Sequence, residues 1–256
     1  MRSRLLRALA AVVVVAAAGC GPSPQAPAAT GTAVSGRITV FAAASLQDAF
    51  TEIGTAFRAA HPGVELTFSF GPSSGLAAQI VQGAPADVFA AASTGAMKPL
   101  LDAGSAQAPV VFARNELRIA VPAGTTTVTG LADLARPEVK VALCQPQVPC
   151  GSVATTVLGK AGLTVRPVTL EADVRAVLTK VRLGEVDAGL VYVTDVLAAG
   201  DDVRGIEIPP ALNASTTYPI TALTRSPNAA GARAFVGHVL SEKGRTVLGR
   251  AGFGTP

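Results

Sequence analysis

The chain has 256 residues, which is enough for one large domain or two modest ones. It carries 21 lysines and arginines against 17 acidic residues, but no stretch combines basic residues with interleaved aromatics, so we expect no nucleic-acid partner. Beyond residue 19, no apolar run approaches the roughly 20 residues that are needed to cross a bilayer.

The N-terminal segment has the pattern of a secretory signal peptide. Arg2, Arg4 and Arg7 make a positive N-terminal region, and residues 5–18 are apolar apart from Arg7. This apolar stretch is too short for a membrane anchor. Ala17-Ala18-Gly19-Cys20 resembles a bacterial lipobox, although leucine is usual where Ala17 stands. We predict a signal peptide over 1–19 and an acylated Cys20 that anchors the exported protein to the outer face of the cell membrane. A soluble secreted protein, cleaved at a nearby small residue, is the alternative.

Residues 20–36 differ in composition from the rest of the chain. The stretch 22–35 is rich in Pro, Ala, Gly, Ser and Thr and has neither a charge nor an aromatic residue, which is typical of a flexible linker. Removing the three arginines of the signal peptide leaves 18 basic against 17 acidic residues, so the charge indicates no particular partner. We expect a folded body from about residue 37 that is long enough for an ample core.

Short apolar strands alternate with helical patterns in the first part of the body. The stretch 45–60 has apolar residues at helical spacing and ends at His61-Pro62-Gly63. The order is βαβαβ, which implies a parallel sheet with helices on both faces. The predicted strands are 37–41, 64–70 and 87–91, and the predicted helices are 45–60 and 73–82.

The rest of the chain repeats this alternation. One sheet of this length is possible, but we favour an α/β fold of two lobes facing a cleft, each lobe a mainly parallel sheet flanked by helices. The chain would cross near 114–116 and near 217–220, so that lobe I comprises 37–114 and 220–256 and lobe II comprises 115–219. The predicted strands are 117–121, 139–143, one near 168, 188–193 and 218–223, and the predicted helices are 131–135, 152–161, 174–183, 228–240 and 242–248.

The sequence contains few signatures of catalysis. It has no G-x-S-x-G, P-loop or H-E-x-x-H motif, and its two histidines, His61 and His238, fall at a helix end and inside a helical pattern. The spacing of Cys144 and Cys150 does not fit a C-x-x-C redox or zinc pair. Because an exported protein meets an oxidising compartment, we expect these two residues to form a disulfide. We expect neither an enzyme nor a cofactor.

Small polar residues recur where predicted strands turn into helices. Ser45 and Ser73 follow the first two strands, Ser152 enters a third helix behind 147–151, and Asp173 precedes a fourth. We interpret Ser45, Ser73 and Asp173 as N-caps. Helix N-termini offer unpaired N–H groups and a partial positive charge, and these turns meet at the carboxyl edge of parallel strands. Together they favour an anion site, although each one alone is equally explained as ordinary helix capping.

Six segments, taken in order, resemble the periplasmic molybdate-binding proteins. The first is Ile38-Thr-Val-Phe-Ala-Ala-Ala-Ser45-Leu46, and the second is Ser69-Phe-Gly-Pro-Ser73-Ser74-Gly-Leu. The others lie at 83–89, 148–151, 172–175 and 189–192, and the closing Ala251-Gly-Phe253 also matches. The resemblance covers nearly the whole body. It implies the two-lobed periplasmic-binding-protein fold, with the ligand in the interlobe cleft.

The resemblance also implies that a tetrahedral oxyanion is held by neutral donors only. Hydroxyl and backbone N–H groups would come from two serines of lobe I, backbone N–H groups from two residues of lobe II, and an O–H group from a tyrosine. In that order, these residues are Ser45, Ser73, Cys150, Val174 and Tyr192. Ser74 is the alternative to Ser73. Cys150 stands where the family commonly has alanine, which a backbone donor tolerates, and we interpret Arg175 as a surface charge.

By the same resemblance, the protein would be a solute-binding lipoprotein that captures molybdate or tungstate for an ABC importer, with a permease and an ATPase as partners. We expect a monomer with no metal beyond the metal oxyanion. A receptor for sulfate, thiosulfate or phosphate is the alternative in the same class. A secreted hydrolase using Ser45 or Ser73 would need a base, and neither histidine is near the serine turns in sequence. The effector domain of a transcription regulator is excluded by the signal peptide.

Overall fold

The computed structural model describes residues 34–256. The predicted signal peptide (1–19), Cys20 and the linker up to residue 33 lie outside the described residues. The first strand begins at Gly36, the last residue of the predicted linker. No helix within 34–256 is both long and apolar enough to span a membrane.

Strands and helices alternate through the described residues. The strands are β1 (Gly36–Ala43), β2 (Val64–Gly71), β3 (Val88–Ala90), β4 (Val110–Pro122), β5 (Val141–Cys144), β6 (Thr169–Glu171), β7 (Ala188–Tyr192), β8 (Val203–Glu207) and β9 (Ser215–Ala222). The helices are α1 (Gln47–Ala60), α2 (Ser73–Val81), α3 (Thr94–Asp102), α4 (Pro149–Ala161), α5 (Val174–Arg182), α6 (Val193–Ala199), α7 (Ala229–Leu240) and α8 (Glu242–Arg250).

The side chains of β1 alternate between two apolar layers. Val40 and Ala42 belong to a core that includes residues of α1, α7 and α8, whereas Phe41 belongs to a core with residues of α2 and α3. Successive side chains of a strand point to opposite faces of the sheet. A strand that is apolar at consecutive positions therefore lies in a sheet covered by helices on both faces.

One path of hydrogen-bonded strands runs through the whole described chain, in the order β2-β1-β3-β9-β4-β7-β5-β6, with β8 paired to β4. Strands β1, β2 and β3 are parallel, and so are β5, β6 and β7. Strands β4, β8 and β9 pair in an antiparallel manner with their neighbours. Each parallel set is therefore extended by antiparallel strands towards the middle of the path.

The buried apolar residues form separate cores on the two sides of β4. The first lobe has cores drawn from 38–113 and 218–253, and the second lobe has a core drawn from 117–208. Glu116 of β4 and Ser215 of β9 are register partners, so the chain enters and leaves the second lobe at adjacent positions. The predicted two-lobed α/β fold is confirmed.

Four elements were not predicted: α3, the first half of β4, α6 and β8. Helix α3 contains Gly95 and Pro99, both of which disfavour a helix. It forms nonetheless, because Met97 and Leu100 are buried in the core against α2. Helix α6 follows β7 without a break and begins at Val193, so the predicted strand 188–193 is one residue too long.

Candidate functional site

A cavity lies between the two lobes, at the carboxyl ends of β1, β2 and β7. Its volume is about 20 Å³, slightly above the roughly 10–15 Å³ that a single water requires. The space therefore suits a small ligand. The residues that line it include all five that the resemblance assigns to an oxyanion: Ser45, Ser73, Cys150, Val174 and Tyr192.

Ser45 lines the cavity but does not cap α1. It lies within a 3-10 turn, Ala44–Leu46, and neither that turn nor α1 has a side-chain cap. Its hydroxyl oxygen instead lies 2.8 Å from the phenol oxygen of Tyr218, and both side chains are buried. The predicted N-cap role of Ser45 is wrong, because the hydroxyl bonds across the lobe to β9 and not to its own helix.

Ser73 is the first residue of α2, and the N-cap position belongs to Pro72. The hydroxyl oxygen of Ser73 accepts a hydrogen bond from the backbone N–H of Ala92 at 3.0 Å, so its predicted N-cap role is also wrong. A hydroxyl that accepts from an N–H group keeps its own proton to donate. Ser73 lines the cavity and Ser74 does not.

The N-terminus of α4 leaves two backbone N–H groups free of intrahelical partners. Pro149 has no N–H group, and the N–H of Ser152 donates to the carbonyl of Val148 at 3.0 Å. The remaining donors of the first turn are those of Cys150 and Gly151. Position 151 requires glycine, because a Cβ there would lie 1.9 Å from the backbone carbonyl oxygen of Gln145.

The predicted disulfide is confirmed. It joins Cys144, at the end of β5, to Cys150, in the first turn of α4. The bond closes a ring around the loop that leads into α4, and Val148 of this loop lines the cavity. The disulfide therefore braces the turn that carries the Cys150 amide.

Asp173 caps α5, as predicted. Its carboxylate accepts hydrogen bonds from the N–H groups of Arg175 at 2.9 Å and Ala176 at 3.1 Å. The N–H of Val177 donates to the carbonyl of Asp173 at 3.4 Å. The N–H group of Val174, in the same first turn, takes part in none of these contacts. Val174 lines the cavity.

Tyr192 ends β7 with its side chain almost completely buried, at 1% exposure. No described residue provides a hydrogen-bond partner for its phenol oxygen, although an unpaired buried polar group costs about 1–3 kcal/mol. Burial raises the pKa of the Tyr192 phenol well above its usual value, so this group remains protonated. Because Tyr192 lines the cavity, an acceptor bound there would receive its O–H.

Asp195 and Arg175 form an ion pair behind Tyr192. Asp195 is fully buried in α6, and one of its oxygens accepts a hydrogen bond from the N–H of Tyr192 at 3.0 Å. The other oxygen lies 3.0 Å from Nε of Arg175. The Nε–H is not directed at that oxygen, so the contact is an ion pair without a hydrogen bond.

Arg175 also pairs with Asp48 of α1. This contact connects α5 of the second lobe to α1 of the first. The interpretation of Arg175 as a surface charge is therefore wrong, since its side chain is only 23% exposed and has a fully buried carboxylate as a partner.

Asp195 is expected to make stability depend on pH. Burial raises its pKa from 3.8 to about 7, and the Arg175 charge opposes this rise. Between these two pKa values the folded protein holds a proton that the unfolded chain releases. The contribution of Asp195 to the free energy of unfolding is therefore fully present below about pH 4 and is lost as the pH rises through about 7.

The measurement compares wild type with Asp195→Asn, because titrations elsewhere in the protein cancel in the difference. From about pH 5 to about pH 8, the unfolding free energy of wild type should fall by about 3 kcal/mol more than that of Asp195→Asn. Urea unfolding followed by circular dichroism provides these values. A difference between the two proteins that stays constant across this range would contradict the expectation.

The chemistry of the cavity is that of neutral donors. Asp173 is the one charged residue among those that line it, and its carboxylate is engaged in capping α5. The donors are hydroxyl, phenol and backbone N–H groups at the N-terminal ends of helices, which favour a small anion. Within the part of the chain that the structure describes, no cluster of side chains could hold a metal ion.

Two residues that bond to residues of the cavity were missed by sequence reasoning. Tyr218 bonds to the hydroxyl of Ser45, and Asp195 accepts a hydrogen bond from the Tyr192 backbone. Asp195 had a signal, because it stands three residues after Tyr192 at the spacing of an N-terminal capping acid. The sequence signal for Tyr218 was weaker: it is one of two tyrosines in the chain and lies in an apolar strand.

A two-lobed α/β protein with a donor-lined cavity in its cleft has the architecture of a receptor for small solutes. The chain belongs to the family of bacterial extracellular solute-binding proteins, whose sequence profile matches residues 38–254. The profile therefore covers both lobes and every residue of the cavity.

Among individual proteins, the chain is similar to the molybdate-binding protein ModA of Mycobacterium tuberculosis. The two are 42% identical over 251 residues, which is 97% of this chain and 96% of that protein. The structure resembles the periplasmic molybdate-binding protein of Azotobacter vinelandii, with a TM-score of 0.77, 22% identity and coverage of 86% of this chain and 99% of that chain. It also resembles the sulfate-binding protein SubI of M. tuberculosis, with a TM-score of 0.75, 19% identity and coverage of 85% and 86%.

Proposed function

We propose that this protein binds molybdate or tungstate outside the cell membrane and delivers it to an ABC importer made of a permease and an ATPase. The observation that carries the proposal is the Tyr192 phenol, a buried donor without a described partner, in a cavity lined by neutral donors. The end-to-end similarity to a molybdate-binding protein supports the choice of ligand.

In this proposal each lobe supplies part of the coordination. The hydroxyl and backbone N–H groups of Ser45 and Ser73 donate from the first lobe. The backbone N–H groups of Cys150 and Val174 and the phenol of Tyr192 donate from the second. A dianion that leaves water must have its oxygens hydrogen-bonded, and hydrogen bonds to an ionised acceptor are stronger than those between neutral groups.

Selectivity in such a site depends on size. Molybdate and tungstate have longer metal–oxygen bonds than the sulfur–oxygen bonds of sulfate. Donors fixed by helix ends and by the Cys144–Cys150 disulfide cannot all follow a smaller ion. The smaller ion would be left with oxygens at longer distances and therefore with weaker hydrogen bonds.

Sulfate is the second candidate ligand, because the structure resembles a sulfate-binding protein. That likeness is at 19% identity and supports the fold alone. Calorimetric titration of residues 34–256 with molybdate, tungstate, sulfate and phosphate tests the choice. We expect heat of binding with the first two ions at concentrations where sulfate and phosphate give none. Tighter binding of sulfate than of molybdate would reject the proposal.

We further propose that the receptor has no catalytic role, acts as a monomer and is anchored by acylated Cys20. The pattern Ala17-Ala18-Gly19-Cys20 supports the anchor, since two or more acyl chains give stable membrane attachment. Mass spectrometry of the mature N-terminal peptide tests it, and an unmodified N-terminus at another residue would contradict it. We propose lobe boundaries near 114/115 in β4 and near 219/220 in β9, two paired strands that connect the lobes, with the side chain of Tyr218 in the core of the first lobe.

A further inference from the structure

Tyr218 is buried beside the cavity without lining it. It lies on β9 with 0% exposure, and its phenol oxygen is 2.8 Å from the hydroxyl oxygen of Ser45. The residues that line the cavity include Ser45 but not Tyr218. Its hydrogen bond to a residue that lines the cavity is therefore the one with Ser45.

The position of the Tyr218 ring is fixed by other aromatic rings. Phe253 packs edge-on against it at 5.2 Å between ring centroids, and Phe112 and Tyr192 do so at 6.3 Å each. A ring held on several sides has little freedom to move its hydroxyl group. The phenol oxygen therefore provides a fixed point against which the Ser45 hydroxyl can be oriented.

The direction of the Ser45–Tyr218 hydrogen bond follows from what each hydroxyl can do. Each has one proton, and an ionised oxyanion only accepts. If Ser45 donates to the ion, its oxygen is free to accept from Tyr218, and the Tyr218 proton then points at Ser45. Ser73 provides the comparison, because its oxygen accepts from the Ala92 N–H, a group that can only donate.

We infer that Tyr218 is a positioning residue for the oxyanion site: it donates to Ser45 and so directs the single Ser45 proton into the cavity. The inference rests on the proposed function, since it requires that Ser45 contacts the ion. Under this inference, Ser45 and Ser73 have the same pattern of hydrogen bonds. Each is an acceptor towards a fixed donor of the first lobe and a donor towards the ligand. A site of this kind favours ions that only accept hydrogen bonds over ions that carry a proton.

The test is a double-mutant cycle for molybdate affinity, measured by calorimetry on the whole chain beyond the signal peptide. Tyr218→Phe keeps the ring and removes the donor, and we expect it to weaken binding about 5-fold. In a Ser45→Ala background the same change should alter affinity less than about 2-fold, because the group through which it acts is gone. In a Ser73→Ala background it should keep its full effect, which makes this pair the matched control.

A purely structural role for Tyr218 would lower affinity in both backgrounds, and an equal loss in both would overturn the inference. If wild type binds no molybdate, the proposed function fails, and the inference fails with it. If wild type binds molybdate but Tyr218→Phe causes equal losses in both backgrounds, the inference alone fails.

The chain has only two tyrosines, so fluorotyrosine labelling gives an independent ¹⁹F measurement on protein that retains Tyr218. Molybdate should shift the Tyr218 resonance in wild type and shift it less in Ser45→Ala. Equal shifts in both proteins would also overturn the inference.

Discussion

Replacing Arg175 with alanine is expected to lower the free energy of unfolding by about 1.5 kcal/mol at about pH 8, because protonating a carboxyl group of pKa about 7 costs about 1.4 kcal/mol at that pH. The reason is that Arg175 is the cationic partner of Asp195, which is fully buried. Without it, the carboxylate must remain charged without a partner or take up a proton, and both states are less favourable than the pair. The loss should shrink towards about pH 5, where Asp195 is protonated in the folded protein with or without Arg175. Urea unfolding followed by circular dichroism provides the values.

Arg182→Ala is the matched control for this experiment. Arg182 pairs with Asp202 on the surface, where the two side chains are 49% and 54% exposed. Exposed pairs of this kind contribute about 0–1 kcal/mol, so the control should cost less than about 1 kcal/mol. Equal losses for the two variants would show that burial of Asp195 does not determine the role of Arg175.

The three side-chain donors of the cavity are expected to have large and similar effects on affinity. Ser45→Ala, Ser73→Ala and Tyr192→Phe each remove one hydrogen bond to an ionised acceptor, which contributes about 1.5–3 kcal/mol. Each variant should therefore bind molybdate about 10- to 150-fold more weakly than wild type. Calorimetric titration measures the change, and circular dichroism checks that each variant is folded.

Ser74→Ala is the control for Ser73→Ala, because Ser74 is its neighbour in α2 and does not line the cavity. We expect Ser74→Ala to bind within about 2-fold of wild type. If Ser74→Ala weakens binding as much as Ser73→Ala, the assignment of the contact to Ser73 is wrong. If Tyr192→Phe binds as wild type does, the phenol does not contact the ligand.

The order of strands and helices around the cavity could be predicted from the sequence because its signals are local. Apolar spacing located α1, α2, α4 and α5, and Asp173 was identified as a cap from its position before α5. The disulfide between Cys144 and Cys150 followed from the expected oxidising compartment and from a spacing that does not fit a C-x-x-C pair. The choice of cavity residues needed more than local pattern, and it came from resemblance to a family.

The contacts behind the cavity could not be predicted because they join distant parts of the chain. Ser45 and Tyr218 are 173 positions apart, and Arg175 and Asp48 are 127 apart. Serine at the start of a helix suggests a cap, and nothing local indicates that a strand from the other end of the chain offers a better partner. A basic residue on a polar helix face likewise suggests a surface charge until the fold places a buried carboxylate beside it.

The pairing of Glu116 with Ser215 has a consequence for the order in which the protein folds. The core of the second lobe is built from one uninterrupted stretch, 117–208, whereas the first lobe combines 38–113 with 218–253. A chain that emerges from a translocation channel N-terminus first can finish the second lobe while the first still lacks β9, α7 and α8. The first lobe must wait for the last residues to arrive, with apolar side chains of β1 and α1 exposed in the meantime. Exported protein truncated before α7 would therefore keep a folded second lobe and present an incomplete first lobe to chaperones and proteases.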